Sequence, residues 1–143
     1  MHVAAILAQK GREVATIPAN TTTREAVAEL ARRKIGALVV TEGRNRIVGI
    51  VSERDIVRGL AQQGAGLLDG AIGDIMTREV VTCTESETIN RVMGRLTRGR
   101  FRHLPVLEAG RLVGIVSIGD VVKHRIVEVE READEMRSYI ATA

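Results

Sequence analysis

Few residues in this chain have types and spacing suited to chemistry. Ser52-Glu53-Arg54-Asp55 and Ser117-Ile118-Gly119-Asp120 carry the same Ser-x-x-Asp pattern. At a helix start, the serine of such a pair caps the helix and the aspartate complements its dipole. The same exposed backbone N–H groups also favour an anionic phosphate. A second group is Arg91, Arg95, Arg98, Arg100 and Arg102, a basic stripe within twelve residues. It reads either as a contact for phosphate or nucleic acid, or as a solvated helix face for its first three members. The solvated face is the favoured reading, and apart from Phe101 the stripe lacks the stacking aromatics common in single-strand binders.

Catalytic patterns are missing. His2, His103 and His124 are dispersed, and no H-E-x-x-H or paired-cysteine motif supports a zinc site. Gly64-Ala65-Gly66-Leu67-Leu68-Asp69-Gly70 approaches a dinucleotide fingerprint, but its spacing is wrong and no suitable strand precedes it. No glycine loop is followed by a phosphate-binding lysine. The expectation is a protein that is not an enzyme and uses neither a metal nor a catalytic cofactor.

Size and composition narrow the frame that must position these residues. With 143 residues the chain suits one domain or two very small ones, and a complete barrel enzyme is excluded. The 21 basic and 18 acidic side chains leave a formal charge of +3, with a pI of about 9.6. All but Lys10, Lys34 and Lys123 of the basic residues are arginine, the residue preferred for planar contacts to phosphate or carboxylate. Phe101 and Tyr139 are the only aromatics, so the core must come from Val, Ile, Leu and Ala. The single cysteine, Cys83, forbids an intrachain disulfide and fits a reducing compartment. No apolar run approaches membrane-spanning length, and the first residues lack the pattern of a secretion signal. The expectation is a soluble cytoplasmic protein without a membrane partner.

An internal repeat organises the rest. Gly49-Ile50-Val51-Ser52-Glu53-Arg54-Asp55-Ile56-Val57 recurs as Gly114-Ile115-Val116-Ser117-Ile118-Gly119-Asp120-Val121-Val122, six of nine positions being identical at an offset of 65. Upstream the offset becomes 66, pairing Thr16 with Thr82, Leu30 with Leu96 and Val40 with Val106. Val3 to Leu7 answers Ile72 to Met76, with three extra residues in the first copy. The copies divide the chain into residues 1–66 and 67–143, each too small to be comfortable alone.

Each copy reads β-α-β-β-α, an α/β (α+β) class. A short strand (Glu13–Ile17; Glu79–Cys83) leads to a helix, begun in the first copy by the capping pattern Thr22-Thr23-Arg24-Glu25. Ala26, Val27, Leu30 and Ala31, and in the second copy Ile89, Val92, Met93 and Leu96, recur at helical spacing. Two apolar strands follow, Ala37–Val40 then Ile47–Val51, or Leu104–Leu107 then Leu112–Val116, with a glycine-containing turn between them. A second helix starts near Ser52 or Ser117. In the first copy it ends before Gly64; in the second it extends through Val127, Val129 and Met136 towards Tyr139, an amphipathic tail suited to a dimer contact. Cys83 replaces Ile17 in its apolar strand, which favours a packing thiol over a nucleophile.

The paired Gly-Ile-Val-Ser-x-x-Asp segments, with Asp74-Ile75-Met76-Thr77 and Arg102-His103-Leu104-Pro105-Val106, resemble cystathionine β-synthase (CBS) domains. Residues 3–125 resemble a stand-alone tandem CBS pair, a Bateman module. The resemblance implies two repeats about a pseudo-two-fold axis, adenosine-containing ligands between them, and a homodimer. It implies that Asp55 and Asp120 accept ribose hydroxyls at the strand-to-helix junctions. One nucleotide-binding set would comprise Ser52, Arg54, Asp55, Thr77, Val81, Phe101, Arg102 and His103, and the other Ser117, Asp120, Ala15, Ile35, Gly36 and Ala37. The first is better equipped for a phosphorylated ligand: it has Arg54, Arg102 and His103 as cations and Phe101 as a flat surface for adenine, where the second has Gly119 in place of Arg54. The ligand expected is AMP, then ADP, ATP or NAD(H), and the regulated partner is an enzyme, a transporter or a second copy of the chain. The alternative reading is a nucleic-acid-binding protein using the Arg91–Arg102 stripe.

Overall fold

In the computed structural model, which describes residues 1–99 and 101–142, the chain runs α1 (Val3–Lys10), β1 (Thr16–Pro18), α2 (Thr23–Arg33), β2 (Ala37–Glu42), β3 (Arg46–Ser52) and α3 (Glu53–Gln63). Two short 3-10 turns, Ala65–Asp69 and Ile72–Asp74, lead to α4 (Ile89–Gly99), β4 (His103–Glu108), β5 (Arg111–Ser117) and the 25-residue α5 (Ile118–Thr142). The chain forms two compact units, residues 14–81 and residues 1–13 together with 82–143.

In the unit of residues 14–81, β1 lies parallel to β2 and β2 antiparallel to β3. Helix α2 starts where the Thr22 hydroxyl accepts the Glu25 N–H at 3.1 Å and ends at Lys34, which adopts a left-handed conformation. Its apolar face, Ala26 and Leu30, packs with Ile17, Leu38, Val40, Val51, Ile56, Ile72 and Met76 into one core. Burying each such aliphatic side chain stabilises the unit by roughly 1.5–3 kcal/mol relative to exposure.

The other unit repeats this plan with a shortened first strand. Sheet β4–β5 is antiparallel, and the segment before α4 forms a single bridge with it among the described residues, Cys83 pairing in parallel with Val106. The expected strand at Glu79–Cys83 is therefore reduced to one bridge, whereas its counterpart forms a ladder at Thr16–Pro18. The cause is local. Val39 donates its N–H to the Ala15 carbonyl at 3.1 Å, but Pro105 stands at the matching position and has no N–H. Side chains occupy neighbouring backbone groups: the Thr82 carbonyl accepts from Arg95 at 2.5 Å, and the Thr84 N–H donates to Glu87 at 2.9 Å. The Thr88 hydroxyl caps α4 by accepting the Arg91 N–H, and Ile89, Val92 and Leu96 are buried along one face.

The hairpin loops explain the change of repeat offset. Glu42 pairs with Arg46 across three residues, and Glu108 pairs with Arg111 across two. Ala109 and Gly110 both have positive φ, the geometry of a two-residue hairpin turn that matches strand twist.

Each unit is closed by a segment packed on the glycine of its last strand. The Met76 side chain lies over Gly49 and the Leu7 side chain over Gly114, where a Cβ would collide with it. Backbone bonds follow in parallel. Ile72 and Gly73 donate to the carbonyls of Thr21 and Ala19 at 2.7 and 2.9 Å, while Val3 and Ala4 donate to those of Glu87 and Glu85, both at 3.0 Å. The closing segment of residues 14–81 thus lies just downstream in the chain, at 70–77. That of the other unit is α1, at the far end of the sequence. The sequence copies, 1–66 and 67–143, and the packed units therefore divide the chain at different places.

Candidate functional site

Both Ser-x-x-Asp segments sit at the junction of a last strand with the helix that follows it. In the unit of residues 14–81, Ser52 is extended (φ −115°, ψ 165°) and caps α3. The Asp55 N–H donates to the Ser52 hydroxyl at 3.3 Å, and the Asp55 carboxylate accepts the Ser52 N–H at 2.9 Å and its hydroxyl at 3.1 Å. These carboxylate bonds all fall on Oδ2. Ala37 pairs with Ser52, and the Glu53 N–H donates to the Gly36 carbonyl at 3.0 Å. Ala15, Gly36 and Ala37 therefore gather at the corner where α3 begins, and Ile35, bonded back to Leu30, leads into it. Thr77 is exposed and exchanges two backbone bonds with Ile50, at 2.8 and 3.0 Å, while Val81 is half-buried. Arg54 is exposed in the first turn of α3.

The second unit builds the matching corner. The Asp120 carboxylate accepts the Ser117 N–H at 2.9 Å, and the Asp120 N–H donates to the Ser117 hydroxyl at 3.1 Å. His103 pairs with Ser117, and the Ile118 N–H donates to the Arg102 carbonyl at 2.8 Å. Arg102 is exposed, His103 is half-buried, and the half-buried Phe101 ring lies against Gly99 at the end of α4. Each expected nucleotide-binding set takes residues from both units. Ser52, Asp55, Ala15, Ile35, Gly36 and Ala37 share one corner; Ser117, Asp120, Phe101, Arg102 and His103 belong to the other.

Lys10 is the functional candidate the sequence reading passes over. Its ammonium donates to Asp120 Oδ2 at 2.6 Å from the C-terminal end of α1. Burial works to raise the Asp120 carboxyl, but the Lys10 ammonium and the Ser117 N–H outweigh it and hold the group below the ordinary carboxylate range. The partners are 110 residues apart, so no local spacing reveals the pair. The available signal was the three-residue excess of the first copy, which falls in the stretch that extends α1 to Lys10.

The arginine stripe divides. Arg95 turns inward to the Glu87 carboxylate at 2.9 Å and to the Thr82 carbonyl, holding the entry to α4. Arg91 lies 3.6 Å from Glu87 and is largely exposed, as are Arg98 and Arg102, while Arg100 lies outside the described residues. Cys83 is buried, and burial pushes its thiol up to about 12, too high for a thiolate nucleophile at neutral pH. Among the described residues no cluster of three metal-ligating side chains occurs, and no helix is long and apolar enough to cross a membrane.

The match to known proteins follows the same architecture. The CBS domain family matches twice, at residues 8–62 and 72–126. The solved structure of the CBS-domain-containing protein ATU1752 from Agrobacterium tumefaciens is 46% identical with a TM-score of 0.85, covering 87% of this chain and 99% of that one. PAE2072 from Pyrobaculum aerophilum, solved with AMP, is 31% identical with a TM-score of 0.79, over 91% and 97%. The CBS domain pair of MJ0100, solved with 5′-methylthioadenosine and S-adenosyl-L-methionine, is 28% identical with a TM-score of 0.79, over 90% and 98%. The mitochondrial CBSX3 of Arabidopsis thaliana is 36% identical over 83% of this chain, which spans 60% of that relative's length. Two copies of one β-α-β-β-α plan, each ending its last strand in the same Ser-Asp cap, make this chain a member of the CBS domain family, as a tandem pair.

Proposed function

We propose that the chain is a regulatory CBS pair that binds adenine nucleotides and reports energy or redox state to a partner enzyme or transporter, itself acting as a homodimer without catalysis. AMP is the leading ligand, followed by ADP, ATP and NAD(H). The observation that carries this reading is the Ser-Asp cap repeated at equivalent helix starts. In each, a helix N-terminus, whose dipole favours an anionic phosphate, stands beside a carboxylate able to accept ribose hydroxyls. The AMP complex of PAE2072 and the adenosyl ligands of MJ0100 support the ligand class. The nucleotide-binding residues we assign are Ser52, Arg54, Asp55, Thr77, Val81, Phe101, Arg102, His103, Ser117, Asp120, Ala15, Ile35, Gly36 and Ala37. A buried, protonated Cys83 suits a reducing compartment, and we place the protein in the cytoplasm.

The two aspartates are not equivalent. Asp55 has Arg54 beside it, whereas Asp120 has Gly119 and is already engaged by Lys10. A ligand reaching Asp120 must compete with that ammonium, so binding through Asp55 is the tighter of the two. Calorimetry with AMP, ADP, ATP, NAD+, NADH and S-adenosylmethionine, beside a short RNA, tests the reading. Asp55→Asn keeps the cap acceptor but removes the charge, and should weaken the tighter site about 10- to 100-fold, since hydrogen bonds to charged groups contribute about 1.5–3 kcal/mol. Asp120→Asn should change only the weaker one. Failure of every adenosine compound to bind would reject the proposal. RNA binding with a steep loss of affinity in salt would instead favour a polymer ligand at Arg91, Arg98 and Arg102.

A further inference from the structure

We infer that α5 is one strand of a parallel, in-register two-stranded coiled coil made with a second copy of this chain. This assigns the seam of the homodimer proposed above, and it rests on the helix itself rather than on any ligand. The first turns of α5 belong to the fold, where Val121 is buried and His124, Arg125 and Glu128 are half-buried. Beyond them, residues 134–142 are all exposed, although the helix continues to Thr142. A helical stretch of this length standing in water has little to hold it, because isolated helices shorter than about 12–15 residues are marginal.

Its apolar residues are ordered. Val122, Ile126, Val129, Ala133, Met136 and Ile140 alternate in steps of four and three, the spacing of a coiled-coil seam. All but the half-buried Ala133 are exposed, Ile126 at 53%, Met136 at 61% and Ile140 at 68%. Ile126 and Ile140 fall at the seam position where β-branched residues favour two strands, and Ala133 between them allows close approach.

The flanking charges choose the occupant and its direction. In a parallel pair, Arg125 of one strand meets Glu130 of the other, and Glu132 meets Arg137. Both contacts are attractive and each is made twice by symmetry. An antiparallel pair would set Glu130 against Glu130 and Glu132 against Glu132, which is repulsive at both places. In the single chain Arg125 and Arg137 turn to Glu128 and Asp134 of their own helix, at 2.5 and 2.9 Å. The Arg137–Asp134 pair is exposed, and such surface pairs are weak and readily exchanged; the half-buried Arg125 also lies 3.9 Å from Glu132.

Sedimentation equilibrium of the full chain tests the seam. A dimer is expected, with Met136→Glu and Ile140→Glu each raising its dissociation constant at least tenfold while circular dichroism shows the fold retained. Glu130→Arg should also weaken it, and Arg125→Glu combined with Glu130→Arg should restore it. For polarity, Met136→Cys alone should form an intermolecular disulfide in oxidised glutathione, Cys83 being buried and protonated. Cross-linking only in a mixture of Ile126→Cys and Met136→Cys chains would overturn the parallel arrangement. A dimer indifferent to both glutamate substitutions would overturn the seam and leave the homodimer standing. A monomer at all concentrations, or a helix captured only by another protein, would overturn both.

Discussion

Asp120 and Asp55 hold corresponding positions and make corresponding caps, yet only Asp120 meets a lysine. The Lys10 ammonium fixes where the pair contributes to stability on the pH scale. A carboxyl whose folded value lies below its unfolded value of about 3.9 stabilises the fold fully above that value, and loses the contribution as the pH falls through the lowered one. Lys10→Met leaves burial to act on Asp120 with only the cap to oppose it. The variant should be less stable than the parent at pH 7, and the gap should close as urea titrations are moved below about pH 4. A gap independent of pH would mean that Lys10 acts through its methylene packing. The same substitution should tighten nucleotide binding at the Asp120 corner, because a competing cation is gone. Ser117 and Asp120 were legible in the sequence because they recur. Lys10 was not, because a contact across 110 residues leaves no local spacing to read.

Among the elements, the two strand glycines have a definite task. A Cβ on Gly114 would lie 2.6 Å from Leu7 Cδ2 and 3.3 Å from Leu7 Cγ, so the whole side chain would have to move, not merely its tip. Gly114→Ala should therefore cost about 1–3 kcal/mol, the usual range for overpacking a filled core. Gly66, which has open space around it, is the matched control, and Gly66→Ala should be near neutral in the same denaturant titration. Helix α2 was legible in the sequence from its threonine cap and apolar face, α4 from its apolar face, and the hairpins from their glycine turns. The first strand of the second copy was misjudged because strand-like residues at Glu79–Cys83 suggest a ladder that Pro105 cannot complete. Its partner strand supplies the missing information, and a periodicity read along one segment does not contain it.

For the whole molecule, the repeat in the sequence and the packed units are related but not the same. A cut at the boundary of the copies leaves residues 67–143 without α1, and with it the bonds from Val3 and Ala4 to Glu87 and Glu85. Residues 14–81 contain every segment that packs their own core. A fragment of residues 14–81 should therefore show cooperative thermal unfolding. A fragment of residues 67–143 should not, until a peptide of residues 1–13 is added. Cooperative unfolding of the second fragment alone would show that α1 is dispensable to its unit.

The placement of α1 also orders events on the ribosome. As the chain emerges, residues 14–81 have their core partners at hand once Met76 and Thr77 are made, and can consolidate early. Helix α1 is made before them but must wait for Glu85, Glu87 and Gly114, so Val3, Ile6 and Leu7 remain wet until those residues follow. The segment before residue 14 thus joins its unit only after the strand that carries Gly114 has been made. A nascent chain stalled short of Gly114 would be half-folded, with the apolar face of α1 open to any chaperone that reaches it.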